Sequence, residues 1–255
     1  LILDEADRML DIGFFDDIIK IIKTLPVVRQ SLMFSATMAP KIRKLANEIL
    51  QDPLEVSVAV SKPAEGVLQE VYMAHEEQKI PLVKHLLSDK LEFNSIIVFC
   101  STKKKVTQLT RKLQQNKLNA QAISSDFEQK EREQTISDFR SGRTRILIAT
   151  DVMSRGIDIK GIDLVINFDV PTDAEDYVHR IGRTARANTK GMAITLISQD
   201  DMYRFVKIER LIERKLDKKQ PPSAIGIGPS WSDKPQSRTS NKRFSFKKNP
   251  SSFKK

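Results

Sequence analysis

Residues 95–115 read SIIVFCSTKKKVTQLTRKLQQ, a stretch that holds both periodicities of the fold. Ile96 to Phe99 form an apolar run too short for a helix, and a strand buried on both faces looks like this because neither side meets water. After Ser101 and Thr102 the pattern changes. Val106, Leu109 and Leu113 recur at helical spacing among lysines, glutamines and threonines, so one stripe is apolar and the rest is wet. A strand leading straight into an amphipathic helix is half of a parallel crossover unit.

The same unit recurs outward from this point. Strands are expected at 67–73, 95–99, 119–123, 145–149, 163–168 and 191–197, alternating with helices at 77–88, 103–115, 128–139, 173–182 and 203–216. This makes a complete α/β domain over 67–216. Residues 1–60 carry less of the same logic: strands at Leu1–Leu3, Ser31–Phe34 and Leu54–Ala59, with two helices, one marked by Ile42, Leu45, Ala46 and Ile49. A preceding segment is expected to complete that sheet, and Leu1 is not expected to be the natural start. Ser61 to Gly66 (SKPAEG) breaks both periodicities and reads as a linker. The expected fold class is therefore α/β, with parallel sheets covered by helices in a partial first domain and a complete second one.

Composition narrows the setting. The single cysteine, Cys100, allows no internal disulfide and suits a reducing compartment, while His75, His85 and His179 are too scattered to form a metal site. No apolar run approaches the ~20 residues of a membrane span, so a cytoplasmic location without membrane contact is expected. The net charge is +10, and between Pro221 and Lys255 eight basic residues face one acid. Residues 217–255, with Trp231, Phe244, Phe246 and Phe253 as their large aromatic side chains, are expected to be disordered because so little apolar surface cannot offset ordering entropy. Such a tail is either a solubilising segment or an arm that binds polyanions through its cations and aromatic rings.

Candidate chemistry comes after the strands, where open α/β sheets hold ligands. Asp4-Glu5-Ala6-Asp7 comes directly after Leu3; it is either a surface loop or a set of carboxylates of the kind that hold magnesium and orient water in nucleoside triphosphatases. Ser35-Ala36-Thr37 succeeds the next strand and also suits helix capping ahead of Pro40. Residues 149–158 (ATDVMSRGID) pack hydroxyls, carboxylates, an arginine and a glycine after an apolar strand, which fits a loop meeting phosphates or an ordinary turn-stabilised connection. Residues 179–186 (HRIGRTAR) place Arg180, Arg183 and Arg186 at a helix end, where they complement the helix dipole or grip a polyphosphate bidentately. Gln129 and Arg132, three apart on a helix, are by themselves only polar face residues.

Taken in order, these segments, together with Val98-Phe99-Cys100-Ser101-Thr102, resemble the DEAD-box family of ATP-dependent RNA helicases, and within it the bacterial RhlE-like branch. The resemblance covers residues 1 to about 216. It implies two RecA-like domains that close over ATP on one side and single-stranded RNA on the other, unwinding duplexes or remodelling RNA–protein complexes as ATP is hydrolysed. By the same resemblance, Asp4 holds Mg2+ through water and Glu5 positions the attacking water. Asp158 contacts the nucleotide sugar, and Arg183 and Arg186 reach the γ-phosphate. Asp7, Ser35, Thr37, His179 and Arg180 couple the domains, and Gln129, Arg132, Thr150, Arg155 and Gly156 lie along the RNA backbone. RNA is the implied partner of a monomeric protein; its target, and any ribosomal or RNA-decay protein bound with it, are not legible.

Three departures from the family pattern stand out. No Gly-x-x-x-x-Gly-Lys-Ser/Thr phosphate loop lies in the chain, Ala185 stands where the family has Gly, and Ser124-Ser125-Asp126 replaces a His-Gly turn. The chain as given is therefore expected not to hydrolyse ATP at a useful rate, although the full protein should. A non-catalytic RNA-binding or annealing module is the alternative function.

Overall fold

In a computed structural model of the chain, residues 1–36, 38–57, 66–124, 126–151, 161–184 and 191–232 are described. The first unit comprises β1 (Ile2–Leu3), α1 (Ala6–Ile12), α2 (Phe15–Lys23), β2 (Leu32–Met33) and α3 (Pro40–Ile49), with β1 and β2 paired in parallel. Leu3, Ile18, Leu45 and Ile49 form its small core. The expected strand at Leu54–Ala59 is not seen in its described part: residues 54–57 have no ladder partner, and Leu54 and Val56 are strongly exposed. β-branched residues favour a strand only where a neighbouring strand gives them a surface to pack on. Residues 58–65, which contain most of the expected linker, lie outside the described residues.

The second unit carries β3 (Val67–Met73), α4 (Glu76–Ser88), β4 (Ile96–Phe99), α5 (Lys103–Gln115), β5 (Ala120–Ile123), α6 (Gln129–Arg140), β6 (Ile146–Ala149), β7 (Leu164–Asn167), α7 (Ala174–Ile181), β8 (Gly191–Ile197), α8 (Met202–Leu211) and β9 (Lys218–Lys219). Its seven strands run parallel in the order β5-β6-β4-β7-β8-β3-β9. The alternation of the strands decides which helix goes where. Ile96, Val98, Ile146, Ile148, Leu164 and Ile166 face Leu82, Leu86, Val106, Leu109 and Leu113 of α4 and α5. Ile97, Phe99, Leu147, Ala149 and Val165 face Phe139, Tyr177, Ile181, Phe205 and Ile208 of α6, α7 and α8. Each large apolar side chain here contributes about 1.5–3 kcal/mol by leaving water, which is why the central strands read as unbroken apolar runs.

The fold does not stop at residue 216. β9 adds to the free edge of β3, pairing Lys218 with Val71 and Lys219 with Tyr72. Residues 220–231 then cross the domain as a strap. Gln78 Nε2 donates to the carbonyls of Ile225 and Ile227 at 3.3 and 3.1 Å, and the Gly228 amide donates to Gln220 Oε1 at 2.9 Å. At Gly228 the strap lies so close that a Cβ would overlap the Met73 carbonyl oxygen. Trp231 closes it, meeting Phe205 edge-on at 6.2 Å between centroids with the Lys218 ammonium 4.5 Å from its own ring centroid. The expectation of disorder is thus corrected for 217–232. Composition averages missed that Trp231 and Ile225 each find an apolar neighbour and that the backbone bonds go to a strand edge and to Gln78. Trp231 is consequently part of the fold rather than a ring free to stack on bases.

Two substitutions test the strap. Trp231→Ala should destabilise the chain by about 2 kcal/mol, below the ~3–5 of a fully buried aromatic because Trp231 is half-buried, and Gly228→Ala should also lower stability. Urea denaturation followed by circular dichroism measures both; midpoints equal to that of the parent would mean that the strap carries no stability.

Candidate functional site

The parallel pairing of β1 and β2 places the segments at their carboxyl ends side by side. The Phe34 amide donates to Leu3 O at 2.7 Å and the Ala6 amide to Phe34 O at 3.0 Å, so Asp4–Ala6 is laced to Phe34–Ser35. Ser35 Oγ accepts the Asp7 amide at 3.3 Å, bringing together two residues that the sequence had linked only by family pattern. Thr37 lies outside the described residues. Asp4 and Glu5 are exposed, and one Asp4 oxygen accepts the Glu5 amide at 2.9 Å. Glu5 has φ 50 and ψ 46, a left-handed conformation that costs a residue with a Cβ about 1–3 kcal/mol. The strain sits at the junction between β1 and α1, where the backbone must turn immediately.

In the second unit the corresponding edge is organised by Arg180. Its guanidinium donates bidentately to Asp151, with Nε and Nη2 each 2.7 Å from a carboxylate oxygen. Nη1 donates to Asn167 Oδ1 at 3.0 Å and to Asp169 O at 2.9 Å, and the group lies 4.9 Å from the Phe99 ring centroid. Three neighbouring strands, β4, β6 and β7, are therefore tied to α7 where they end. Arg180 was expected at an interface between domains. It is 3 % exposed, and these hydrogen bonds hold Asp151, Asn167 and the Asp169 backbone within its own domain; a residue so committed has no accessible fork to offer another surface.

Around this staple Thr150 is half-buried, His179 is exposed in the last turn of α7, and Arg183 is half-buried just beyond it. The Arg183 carbonyl accepts the amides of Gly161 and Ile162 at 3.1 and 3.2 Å, fastening the chain that returns from residues 152–160. Arg155, Gly156, Asp158, Arg186 and Ala185 lie outside the described residues.

A second buried network was not legible in the sequence. Lys79, fully buried on α4, reaches Glu76 at 2.5 Å, Asp169 at 3.1 Å and Asp201 at 3.4 Å, and Lys105 joins Asp169 and Glu76. The three carboxylates converge as they would on a cation, and the Lys79 ammonium is that cation. Asp169 also accepts the Ser101 amide at 2.8 Å. Burial by itself would push the Asp169 carboxyl up, but Lys79, Lys105 and the Ser101 amide outweigh it and hold it at about 2. Burial drives the neighbouring Cys100 thiol far above its usual range, so it is inert packing. The only signal in the sequence was a lysine one residue before Ile80 in an amphipathic helix, which resembles any solvated lysine.

Gln129 and Arg132 do come together on α6, with Arg132 Nη1 donating to Gln129 Oε1 at 3.1 Å. Arg132 Nε is buried and has no hydrogen-bond partner among the described residues. In the unusual turn before this helix, exposed Asp126 pairs with Lys103 at the start of α5, and that ammonium lowers its carboxyl below the ordinary value.

Comparison with known proteins places these features. The family described as helicase conserved C-terminal domain matches residues 78–188, and the family described as DEAD/DEAH box helicase matches residues 1–45. The chain is 40 % identical over 227 residues to the ATP-dependent RNA helicase DbpA of Escherichia coli, covering 89 % of this chain and 50 % of that one. It is 44 % identical over 218 residues to the ATP-dependent RNA helicase-like protein DB10 of Nicotiana sylvestris, covering 84 % and 35 %. Among solved structures, it matches S. cerevisiae Dbp5 bound to RNA and ADP BeF3 with a TM-score of 0.76 and 31 % identity, over 86 % of this chain and 59 % of that one. It matches the E. coli DEAD-box protein SrmB bound to regulator of ribonuclease activity A with a TM-score of 0.60 and 32 % identity, over 65 % of this chain and 96 % of that one. The chain thus spans half or less of the length of these curated relatives.

The Asp169 network predicts a specific acid sensitivity. Its folded carboxyl lies below the ordinary 3.8, so its contribution is complete above that value and is lost as pH falls towards about 2. Asp169→Asn should lower stability at pH 7 by about 3 kcal/mol, by leaving buried ammonium groups short of a partner, and should flatten the decline between about pH 4 and 2. Urea midpoints at those pH values decide it: an unchanged acid limb in the variant assigns the decline to other groups.

Proposed function

This chain belongs to the DEAD-box family of RNA helicases, and from that membership we propose that it forms the carboxyl-terminal portion of the catalytic core of an ATP-dependent RNA helicase that unwinds or remodels RNA. The observation that carries the reading is the lacing of Asp4–Asp7 to Phe34–Ser35, which makes one rigid edge of the two segments the family uses at its nucleotide site. The Arg180 staple supports it from the second unit, because it anchors Asp151, the neighbour of Thr150, just past the carboxyl end of β6, where open α/β sheets meet ligands. The whole protein is the enzyme in this reading, and residues 1–255 contain no Gly-x-x-x-x-Gly-Lys-Ser/Thr phosphate loop. RhlE-like membership rests on motif wording alone, and the relatives, drawn from plants, fungi and bacteria, do not single that branch out.

The residues present fit magnesium and ATP in part. Asp4 is exposed, with one oxygen engaged by the Glu5 amide, which suits an ion held through water rather than gripped directly. Magnesium-bound ATP supplies an electrophilic phosphorus and neutralisation of its developing charge. Glu5, fixed by its left-handed backbone, orients a water and accepts its proton. Arg183 and Arg186 stabilise charge on the transferring group through their planar forks, and Asp158 meets the sugar. Asp7, Ser35, Thr37 and His179 transmit closure between the domains. Gln129, Arg132, Thr150, Arg155 and Gly156 hold the RNA backbone, with the buried Nε of Arg132 the described donor best placed to be completed by a ligand. RNA is the partner, the protein acts as a monomer, and its setting is the cytoplasm. No helix among the described residues is long and apolar enough to cross a membrane.

In the full-length protein Glu5→Gln should reduce ATP hydrolysis by ~100-fold or more while leaving nucleotide binding nearly intact. Steady-state turnover and nucleotide titration on one preparation test this, and parental turnover would remove Glu5 from its role. Arg183→Lys keeps the charge but loses the fork, so RNA-stimulated turnover should fall without a change in melting temperature. Full activity in that variant would reduce Arg183 to a helix-end cation.

A further inference from the structure

We infer that the exposed face of α8 is a second contact surface for nucleic-acid phosphates, separate from the strand ends. This rests on the RNA-binding reading above but involves none of the residues assigned there. Tyr203, Lys207 and Arg210 recur at spacings of four and three along the solvent side of α8, and Arg214 lies just past its end. Lys207, Arg210 and Arg214 are exposed and have no ion-pair partner among the described residues.

The surrounding charges explain why these three stay available. Glu209, the acid on the same helix, is buried and taken by Lys215 and Lys218. Asp201, before the helix, is shared by Lys79 and Arg204. Glu213 stands exposed between Arg210 and Arg214 in a left-handed turn past the helix end. Tyr203 shapes the other end. The Arg204 guanidinium and the Lys207 ammonium lie 5.6 and 5.5 Å from its ring centroid, so the ring holds cations in place. A helix dipole accounts for cations in the last turn only, and Lys207 precedes that turn.

Three exposed cations along one side of a helix and its end match a polyphosphate backbone and offer no fixed donors and acceptors for reading base edges. In the RNA-binding reading above, RNA is that polyanion, and the α8 face would add affinity without sequence preference.

The test is RNA binding by the full chain against salt concentration, using a fluorescent single strand of ~20 nucleotides and the matching duplex, each in two unrelated sequences. Replacing Lys207, Arg210 and Arg214 together by Gln should reduce the slope of log K against log[salt] by about 2 on the single strand and about 3 on the duplex. The reduction should be equal for both sequences. Each single replacement should remove about a third of it, which guards against a folding effect of the triple change. Gln129→Ala with Arg132→Ala, measured in parallel, reports on the strand-end reading alone. If that pair weakens binding while the α8 variants keep the parental slope, the α8 surface is wrong and the strand-end reading stands. If the α8 variants lose slope and the pair changes nothing, the α8 surface stands and the strand-end assignment fails. Loss of poly-glutamate binding in the α8 variants with RNA binding unchanged would give the face to an acidic protein instead and overturn the inference.

Discussion

A guanidinium buried among strand ends must find a partner for nearly every N–H, and Arg180 does so by reaching Asp151, Asn167 and Asp169 from a single position on α7. The parallel strands β4, β6 and β7 would otherwise end in loops with no common reference. With Arg180 in place, Asp151 just past β6 and Asp169 just past β7 are held in one frame, and Phe99 of β4 packs under the same group. Net stability is not the main consequence: removing a buried charge from water costs several kcal/mol, which the pairing must first offset. The consequence is geometric, because bidentate pairing sets both distance and plane.

Asp169 links this frame to the next. Its carbonyl serves Arg180, while its carboxylate serves Lys79, Lys105 and the Ser101 amide. The two buried networks therefore share one residue just past the end of β7. Through Lys79 the frame extends to Glu76 at the start of α4 and to Asp201 before α8, so the carboxyl ends of β3, β4, β7 and β8 are cross-tied by charge while their bodies are held by apolar packing. A chain needs such ties here because the strand ends are where the hydrophobic layers stop and ligands are met.

Few contacts likewise secure the β3 edge of the sheet. An uncovered β3 would present free backbone groups to other chains, and β9 covers part of that edge by pairing with Val71 and Tyr72. The strap beyond β9 is fastened by one glutamine, one glycine in close contact and one tryptophan, which sets Trp231 against Phe205 of α8.

The alternation of apolar runs and helical stripes was enough to read the second domain from sequence, since a parallel sheet needs both faces buried and its strands are therefore continuous. The strands β3 to β8 and the helices between them lie within a few residues of their expected places. The pairing of Asp7 with Ser35 was foreshadowed by motif order, as was that of Gln129 with Arg132. Only the tertiary structure decided the rest. Leu54–Val56 lacks a strand because pairing depends on a neighbour, not on propensity. Lys79 looks in sequence like a solvated cation, and Arg180 like a helix-end or interdomain one. Their burial depends on distant carboxylates: Asp169 and Asp201 stand 90 and 122 residues from Lys79, and Asp151 stands 29 from Arg180. Trp231 likewise reads as tail until Phe205 is seen beside it. Local pattern reports what a segment prefers in water; burial of charge and docking of an edge are set by distant partners that local pattern does not contain.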